Sequence, residues 1–460
     1  MIPVTSRFSQ HIGVFGLGAS GCATAQALIA GGAYVTAWDD NEEARHTAAK
    51  GKIPLKHPGT PSWQMIDTLI LSPGVPLKYP KLHPVVQAAQ SAGKPIIGDI
   101  DLIQENTLEA KFIGITGTNG KSTTAALIHH VLQKANLSVQ LGGNFGTPAL
   151  QLKPAFKNDT IILELSSYQL DLTQDAIFDI AVLLNITPDH LDRHGSMKGY
   201  FAAKKEIFRN AAAKKQLAVV GIDDPYGQQV WAELNTVKNW TVIPVSTECQ
   251  TKEGVYVKES VLHDKEKNRV DLSGIDTLQG PHNWQNAAAA WAVLQEFKIP
   301  AEKIEVSFRT FPGLPHRLEN IGEYGGIRYI NDSKATNGHS SARALSTHTN
   351  IYWIAGGVSK NDGLKQTFPY LSGVRHAFLI GEAEDEFSEA LTQRGVPNTK
   401  SGVLKLAVEQ AREAATRADS GLPIILFSPA CASFDQYLNF EKRGNHFCDI
   451  VKTLVSEADE

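Results

Sequence analysis

The sequence feature that most constrains the fold of this chain is the stretch of residues 113–124, which reads IGITGTNGKSTT. A β-branched run leads into two glycines, and the apolar-periodic segment 125–132 follows. A strand, a tight glycine turn and a helix in this order present backbone N–H groups and the positive end of a helix to phosphates. A turn of this kind can also serve packing alone, but the Lys-Ser-Thr that follows favours phosphate binding. The stretch therefore predicts that the chain binds ATP.

The individual residues of this loop have separable roles. Lys121 is expected to reach the terminal phosphates, and a hydroxyl from Ser122 or Thr123 is expected to bind Mg²⁺. The usual phosphate-loop pattern has a further glycine where this chain has Ile115, so the loop is a shortened GxxGK[ST] version. The predicted ATP-binding residues of the loop are Gly117, Thr118, Asn119, Gly120, Lys121, Ser122 and Thr123.

A second glycine-rich turn stands near the start of the chain. The strand predicted over residues 11–15 opens onto residues 16–21, which read GLGASG, and a helix is predicted from about Cys22 to Ala30. The next predicted strand, 33–38, ends at Asp39. Taken alone, this pattern is the dinucleotide fingerprint and suggests NAD. It is a weak signal alone, because the same turn accepts other nucleotides or serves packing only.

Polar residues follow the predicted strands in the middle of the chain. Glu164 lies in the apolar stretch 160–169, read as one strand, where an acid beside a phosphate loop is suited to holding Mg²⁺. A solvated acid at the sheet edge is the alternative. The strand predicted over 180–186 leads into a loop whose acids and histidines can be read as metal ligands or as ordinary polar residues. These residues are Asp189, His190, Asp192 and His194.

Length and composition exclude several classes of protein. The 460 residues suggest about three domains, and the net charge of −4 gives no sign of a nucleic-acid or anionic-membrane partner. The four cysteines contain no C-x-x-C pair, no apolar run approaches the ~20 residues of a membrane span, and no signal peptide is visible. We therefore expect a cytoplasmic, monomeric α/β protein with three domains, at residues 1–99, 100–312 and 313–460.

Taken together, these motifs resemble the Mur ligase family, the ATP-dependent enzymes that form amide bonds in peptidoglycan precursor synthesis. The C-terminal stretches 426–437 and 439–444 are similar to the branch of the family that adds D-glutamate. The matching residues fall in the family's order along nearly the whole chain. They are the loop 117–123, Glu164 with Ser166, residues 185–193, His282 with Asn283, His316 with Arg317, and residues 332–336.

The resemblance implies a Rossmann-like N-terminal domain for the UDP part of the substrate, a central P-loop ATPase-like domain and a C-terminal Rossmann-like domain for the incoming amino acid. The implied substrates are ATP, UDP-N-acetylmuramoyl-L-alanine and D-glutamate, joined through an acyl phosphate with release of ADP and phosphate. The implied UDP-substrate residues are Gly16, Leu17, Gly18, Ala19, Ser20, Asp39, Ser72, Pro73, Gly74, Asn144, Ser166, Gln169 and His190. The implied D-glutamate residues are Thr336, Lys360, Ser433, Phe434 and Phe440. Further ATP-binding residues are implied at Asn283, Asn286, Arg317, Asp332 and Lys334.

The resemblance also implies two Mg²⁺ sites, which Mn²⁺ can fill, and a carbamylated lysine. The first lysine of residues 202–205, which read AAKK, matches the family's motif, so the modified residue is expected to be Lys204. Lys205 is the alternative site of carbamylation, because only the register of the motif favours Lys204. The implied metal-binding residues are Ser122, Thr123, Glu164, His190 and Lys204, and the implied catalytic residues are Lys121, Glu164, His190 and Lys204.

Three other functions are compatible with the sequence. A nucleotide-gated binding protein would use the phosphate loop without turnover. A nicotinamide-dependent oxidoreductase would use residues 16–21 but leaves the ATP loop unexplained. A sibling ligase that adds another amino acid, or an enzyme like folylpolyglutamate synthase, would share the phosphate loop; the folate enzymes should not need the N-terminal domain.

Overall fold

The computed structural model describes residues 1–107, 109–210, 214–359, 363–417 and 421–456. The chain divides into two compact units, Met1–Phe311 and Pro312–Glu460. The first unit contains two separate sheets, and the second contains one. None of the described helices combines the length and the apolar character that crossing a bilayer requires.

The first sheet is parallel and small, with strands in the order β2-β1-β3-β4. Because β1 pairs with both β2 and β3, the loops after β1 and β3 lie side by side at the point where the strand order reverses, which is where open α/β sheets bind ligands. The first helix begins at Ala19 and not at Cys22, since Gly18 is its extended N-cap. The elements are β1 His11–Phe15, α1 Ala19–Ala30, β2 Tyr34–Trp38, α2 Glu42–Lys50, α3 Pro61–Gln64, β3 Thr68–Leu71, α4 Pro84–Ser91, β4 Ile96–Ile97 and α5 Asp99–Glu105.

The second sheet of the first unit has nine strands in the order β13-β12-β11-β10-β9-β8-β5-β7-β6. Its strands are β5 Lys111–Thr116, β6 Val139–Gly143, β7 Thr160–Glu164, β8 Ile180–Leu183, β9 Gln216–Gly221, β10 Trp240–Ser246, β11 Val255–Lys258, β12 Val261–His263 and β13 Arg269–Asp271. Its helices are α6 Lys121–Lys134, α7 Ser167–Leu172, α8 Leu191–His194, α9 Met197–Lys205, α10 Pro225–Leu234, α11 Pro281–Gln295 and α12 Ala301–Arg309.

The centre of this sheet is β5, which pairs in parallel with β7 on one side and β8 on the other. These three strands are almost continuously buried, because helices cover both faces of a parallel sheet. Ile115 pairs with Glu164, and Thr116 pairs with Leu183. The carboxyl ends of the three strands therefore meet at one edge, and the loops that follow them share that edge.

The second unit is built on a six-stranded sheet in the order β14-β15-β19-β16-β17-β18, parallel except for β14. Because β19 lies between β15 and β16, the loops after these three strands are neighbours. The elements are β14 Glu319–Tyr324, β15 Ile327–Asn331, α13 Gly338–Ser346, β16 Ile351–Gly356, β17 Val374–Ile380, α14 Glu384–Thr392, β18 Asn398–Gly402, α15 Leu404–Thr416, β19 Ile424–Phe427 and α16 Phe440–Ser456.

Candidate functional site

The predicted phosphate loop joins β5 to α6 and needs both of its glycines. Gly117 has φ 154° and Gly120 has φ 85°, values that side-chain-bearing residues rarely adopt. A Cβ at Gly120 would also lie 2.1 Å from Oδ1 of Asn286. The ammonium of Lys121 turns back over the loop, where its Nζ donates to the carbonyls of Gly117 and Thr118, each at 2.9 Å. The structure therefore brings together the loop, its lysine and Asn286, which was predicted to bind ATP.

The loop after β8 holds the phosphate loop in place. The backbone N–H of Thr118 donates to the carbonyl of Asn185 at 2.8 Å, and that of Asn119 donates to Oδ1 of Asn185 at 2.9 Å. The hydroxyl of Thr118 lies 3.0 Å from the hydroxyl of Tyr200. Two backbone donors of the loop are thus already bonded within the protein, so a phosphate would meet the later ones, at the start of α6.

Glu164 ends β7 as a buried acid with an unpaired oxygen. Its side chain is 2% exposed, and its Oε1 accepts from Nδ2 of Asn144 at 2.8 Å. Its Oε2 is buried and finds no hydrogen-bond partner among the described residues. A buried oxygen without a partner carries a desolvation cost that a cation or a donor would relieve. The position fits the predicted role of this residue as a magnesium ligand.

The same stretch does not continue as a strand beyond Glu164. Ser166 caps α7, accepting from the backbone N–H of Gln169 while the side chain of Gln169 accepts from the N–H of Ser166. The prediction of one strand over 160–169 is therefore wrong from Leu165 onwards. The reason is local, since a Ser-x-x-Gln capping box favours the start of a helix.

Lys204 is buried in α9 next to the phosphate loop. Its side chain is 1% exposed, and its Nζ donates to the carbonyl of Gly117 at 2.8 Å and to the hydroxyl of Thr116 at 3.3 Å. Burial, together with the charge of nearby Lys121, lowers the pKa of Lys204 to about 6. Most of this amine is therefore neutral at pH 7.

The neighbouring Lys205 has a different environment. It is partly exposed and forms an ion pair with Glu233. Consecutive residues of a helix point in different directions, so register decides which lysine faces the loop. Of the two, the structure brings Lys204 to the predicted site.

The loop of mixed charge after β8 contains His190 in the left-handed conformation, with φ 50°. Its Nδ1 lies 3.1 Å from the hydroxyl of Tyr168, and its other ring nitrogen lies 3.5 Å from Asp189. His194 is instead buried against the hydroxyl of Ser167, at 3.0 Å. In the part of the chain that the structure describes, no three His, Cys, Asp or Glu side chains are grouped so that they could hold a metal ion. A cation here would also need the hydroxyls of the phosphate loop or a modified lysine.

The glycine loop of the first sheet is closed by close backbone contacts. A Cβ at Gly21 would lie 1.8 Å from the carbonyl of Gly16, so only glycine fits there. The hydroxyl of Ser72 donates to that same carbonyl at 2.7 Å. The carboxylate of Asp39 accepts from the backbone N–H of Leu17 at 2.5 Å. The predicted UDP-substrate residues of this sheet are therefore adjacent.

Two contacts hold this loop region, one from α5 and one from α8. The hydroxyl of Ser20 donates to the buried carboxylate of Asp99, whose pKa is raised by burial. The guanidinium of Arg193 donates to the carbonyls of Pro73 at 3.2 Å and Val75 at 2.7 Å. Asp99 and Arg193 were not assigned roles from sequence, because both stand among other charged residues and no local pattern distinguishes them.

In the second unit, the loops after β15 and β19 meet around Asp332. Burial raises the pKa of Asp332 to about 7, against the lowering effect of a hydrogen bond from Ser428 at 2.7 Å. The guanidinium of Arg443 is buried nearby and donates to the carbonyls of Ser333 at 2.9 Å and Cys431 at 3.0 Å. Arg443 lies in the motif 439–444 but was not predicted as a site residue.

The structure brings together only some of the residues of this unit that were predicted to bind D-glutamate. Ser433 is buried, whereas Phe434 is 74% exposed. The ring of Phe440 lies 5.5 Å from Nζ of Lys334, and its carbonyl accepts from the hydroxyl of Ser333 at 2.9 Å. Thr336 follows in the loop after β15. The predicted residue Lys360 lies outside the described residues.

Comparison with known proteins gives consistent matches along the chain. Residues 115–294 match the model of the Mur ligase middle domain. The chain is 44% identical to the UDP-N-acetylmuramoylalanine–D-glutamate ligase of Rhodospirillum rubrum, over 99% of this chain and 97% of that protein. It is 42% identical to the enzyme of the same name from Phenylobacterium zucineum, over 99% of this chain and 98% of that protein.

Solved structures show the same fold at low sequence identity. The UDP-N-acetylmuramate–alanine ligase of Thermotoga maritima superposes with a TM-score of 0.59 at 17% identity, covering 96% of this chain and 99% of that one. A pseudomurein peptide ligase type C from Methanothermus fervidus superposes with a TM-score of 0.56 at 20% identity, covering 97% and 100%.

Proposed function

Because the chain belongs to the Mur ligase family, with D-glutamate ligases as full-length relatives, we propose that it joins D-glutamate to UDP-N-acetylmuramoyl-L-alanine in an ATP-dependent reaction. The alanyl carboxylate attacks the γ-phosphate of ATP, which gives an acyl phosphate and ADP. The amine of D-glutamate then attacks the acyl carbon, loses a proton and expels inorganic phosphate. The product is an amide in peptidoglycan precursor synthesis.

The phosphate loop supplies donors for the transferred group. Lys121, which lies over the loop carbonyls, would turn towards the terminal phosphates, and the first N–H groups of α6 would donate to them. Phosphoryl transfer depends mainly on positioning and charge stabilisation, which fixed donors provide. Asn283 and Asn286, whose side chains hydrogen-bond to each other, would hold the adenosine from the first unit. Arg317, Asp332 and Lys334 are also proposed to bind ATP.

Lys204 is proposed to carry a carbamate. A neutral amine adds to CO₂, forming a C–N bond and releasing one proton, and a pKa of about 6 leaves roughly nine in ten of these amines neutral at pH 7. The product is an anion where the unmodified residue would be a cation. Such an anion suits a metal site that contains Glu164 and His190.

Magnesium is the metal that these groups fit best. Oxygen ligands from carboxylates and hydroxyls are what Mg²⁺ prefers, and the unpaired Oε2 of Glu164 is such a ligand. Ser122 or Thr123 would complete one site, and His190 with carbamylated Lys204 would complete the other. Bound Mg²⁺ would supply positive charge against the phosphate oxygens.

The two organic substrates are assigned to loops at the carboxyl ends of strands. The adjacent loops at residues 16–20 and 72–74, together with Asp39, would hold the UDP group. The sugar and the alanyl group would be held by Asn144, Ser166, Gln169 and His190. In the second unit, Thr336, Lys360, Ser433, Phe434 and Phe440 would hold D-glutamate, with Lys360 supplying the cation that a dicarboxylic acid requires.

The observation that carries this proposal is the burial of Lys204 beside the phosphate loop. A protein that only switches on ATP does not require, in addition to Lys121, a buried amine 2.8 Å from the carbonyl of Gly117. A ligase that needs a carbamate anion at this position does require such an amine. Oε2 of Glu164, which has no hydrogen-bond partner among the residues that the structure describes, supports the same interpretation.

The test is ATP-dependent phosphate release with UDP-N-acetylmuramoyl-L-alanine, comparing D-glutamate with L-glutamate, L-alanine and a diamino acid. Release confined to D-glutamate is expected. Release with another amino acid would keep the ATP chemistry and reassign the protein to a sibling ligase. No release with any of them would contradict the ligase function and favour a nucleotide-gated binding protein.

A further inference from the structure

A chain of hydrogen bonds leads from the loop after β9 to the phosphate loop. Nε2 of Gln285 donates to Oδ2 of Asp223 at 3.2 Å, and Oε1 of Gln285 accepts from Nδ2 of Asn185 at 2.9 Å. Oδ1 of Asn185 then accepts from the backbone N–H of Asn119 at 2.9 Å. Gln285 is 8% exposed, so its amide groups depend on these partners. Neither Asp223 nor Gln285 belongs to the ligand-binding residues assigned above.

Groups of fixed polarity stand at both ends of this chain. One is the carboxylate of Asp223; the other is the backbone of Asn119, whose N–H donates to Oδ1 of Asn185 and whose carbonyl accepts from Nδ2 of Asn185 at 3.3 Å. An ionised carboxylate accepts hydrogen bonds and cannot donate them. Around Asp223, the backbone N–H and the hydroxyl of Thr247 donate to Oδ2 at 2.9 and 3.0 Å, and the hydroxyl of Ser246 donates to Oδ1. Gln285 must therefore turn its NH₂ towards Asp223 and its carbonyl towards Asn185.

The orientation of the Gln285 amide favours one orientation of the Asn185 amide. Because the carbonyl of Gln285 needs a donor, Asn185 turns its NH₂ towards it and leaves its own oxygen facing the N–H of Asn119. A flipped Asn185 amide would place NH₂ against N–H, with two donors facing each other. The loop would then lose the hydrogen bond at Asn119, one residue before the left-handed Gly120, and would keep only the bonds of Thr118 on this side.

We propose that Asp223 and Gln285 are positioning residues of the phosphate loop, which act on nucleotide binding through the amide of Asn185. The inference rests on the proposed function in one respect, since it takes the nucleotide to bind at this loop. It adds residues from α11 and from the loop after β9 to the determinants of ATP affinity.

The experiment measures nucleotide binding directly, by calorimetric titration of the full chain with ATP and Mg²⁺. Gln285→Leu keeps the size of the side chain and removes both hydrogen bonds. Gln295→Leu is the matched control, because it is the same change near the other end of the same helix. We expect Gln285→Leu to weaken ATP binding by about tenfold, the usual effect of unpairing a buried amide contact. Gln295→Leu should bind as the unmodified chain does.

A double-mutant cycle separates positioning from general damage. If Asp223 acts through Gln285, Asp223→Asn should weaken ATP binding alone but add nothing in the Gln285→Leu background. The KM for D-glutamate should not change in either variant. Additive effects, or a Gln285→Leu variant within twofold of the unmodified chain in ATP affinity, would overturn the proposal. A chain that binds ATP but makes no amide would contradict only the proposed substrates, and one that binds no nucleotide would contradict both.

Discussion

Replacing Lys204 with methionine should stabilise the protein while abolishing its activity. The structure buries this amine beside Lys121, and its pKa falls from the ordinary 10.5 to about 6. Each tenfold change in proton affinity corresponds to about 1.4 kcal/mol, so at pH 7 the buried amine costs the folded state about 5 kcal/mol. Losing its hydrogen bonds to Thr116 and Gly117 offsets about 1 kcal/mol each. The net expected gain for Lys204→Met is about 3 kcal/mol.

The pH dependence of this gain has a defined sign. Since the folded pKa lies below the unfolded one, the unfolded chain binds more protons between pH 6 and pH 10.5. The free energy of unfolding of the unmodified protein therefore rises with pH across that window. The stability advantage of Lys204→Met should be largest at and below pH 6, and between pH 6 and pH 9 it should shrink by about 4 kcal/mol.

Urea denaturation followed by tryptophan fluorescence measures this, because every tryptophan except Trp353 belongs to the first unit. Buffers must be free of CO₂, so that the amine stays unmodified. Lys205→Met is the matched control; its exposed ion pair with Glu233 should contribute no more than about 1 kcal/mol, and this variant should keep its activity. A Lys204→Met variant that is less stable than the unmodified chain, or whose gain is the same at pH 6 and pH 9, would refute the reasoning.

Three further substitutions test the site. Lys121→Met should lower phosphate release at least a hundredfold without moving the thermal unfolding midpoint, because it removes the positive charge that stabilises the phosphates. Near-normal turnover would contradict the assignment of this loop to ATP. Gly120→Ala should weaken ATP binding at least tenfold in a calorimetric titration, because the added Cβ would clash with Asn286. The control Gly93→Ala is also at positive φ but has open space around it, so this variant should bind ATP normally. Arg193→Met should lower the free energy of unfolding of the first unit by about 3 kcal/mol in urea, because it leaves backbone carbonyls unpaired; unchanged stability would show that those bonds contribute nothing.

Much of the candidate site could be predicted from sequence because it is encoded locally. A β-branched run, a glycine turn and an apolar-periodic helix specify the phosphate loop within a dozen or so residues, and the structure confirms strand, turn and helix there. The strand predicted at 11–15 is confirmed as β1 for the same reason. The position of Glu164 at the end of β7 likewise follows from its neighbours in the chain.

Other features depend on residues that are distant in sequence. Sequence register alone favoured Lys204, but its burial against Gly117 and its lowered pKa exist only once α9 packs on the phosphate loop. The Arg193 contacts to the loop after β3, and the path from Asp223 through Gln285 to Asn119, also join separate segments. Hydrogen-bond partners and burial are set by packing, which no local pattern reports.

The sequence by itself thus determined the kind of local element at each motif, because helix, strand and turn preferences act over a few residues. Tertiary structure decided which of two adjacent lysines is neutral, which carboxylate oxygen is unpaired, and which amide orients the phosphate loop. The physical reason is desolvation: the proton affinity and the hydrogen-bonding needs of a side chain change only when the folded protein removes it from water.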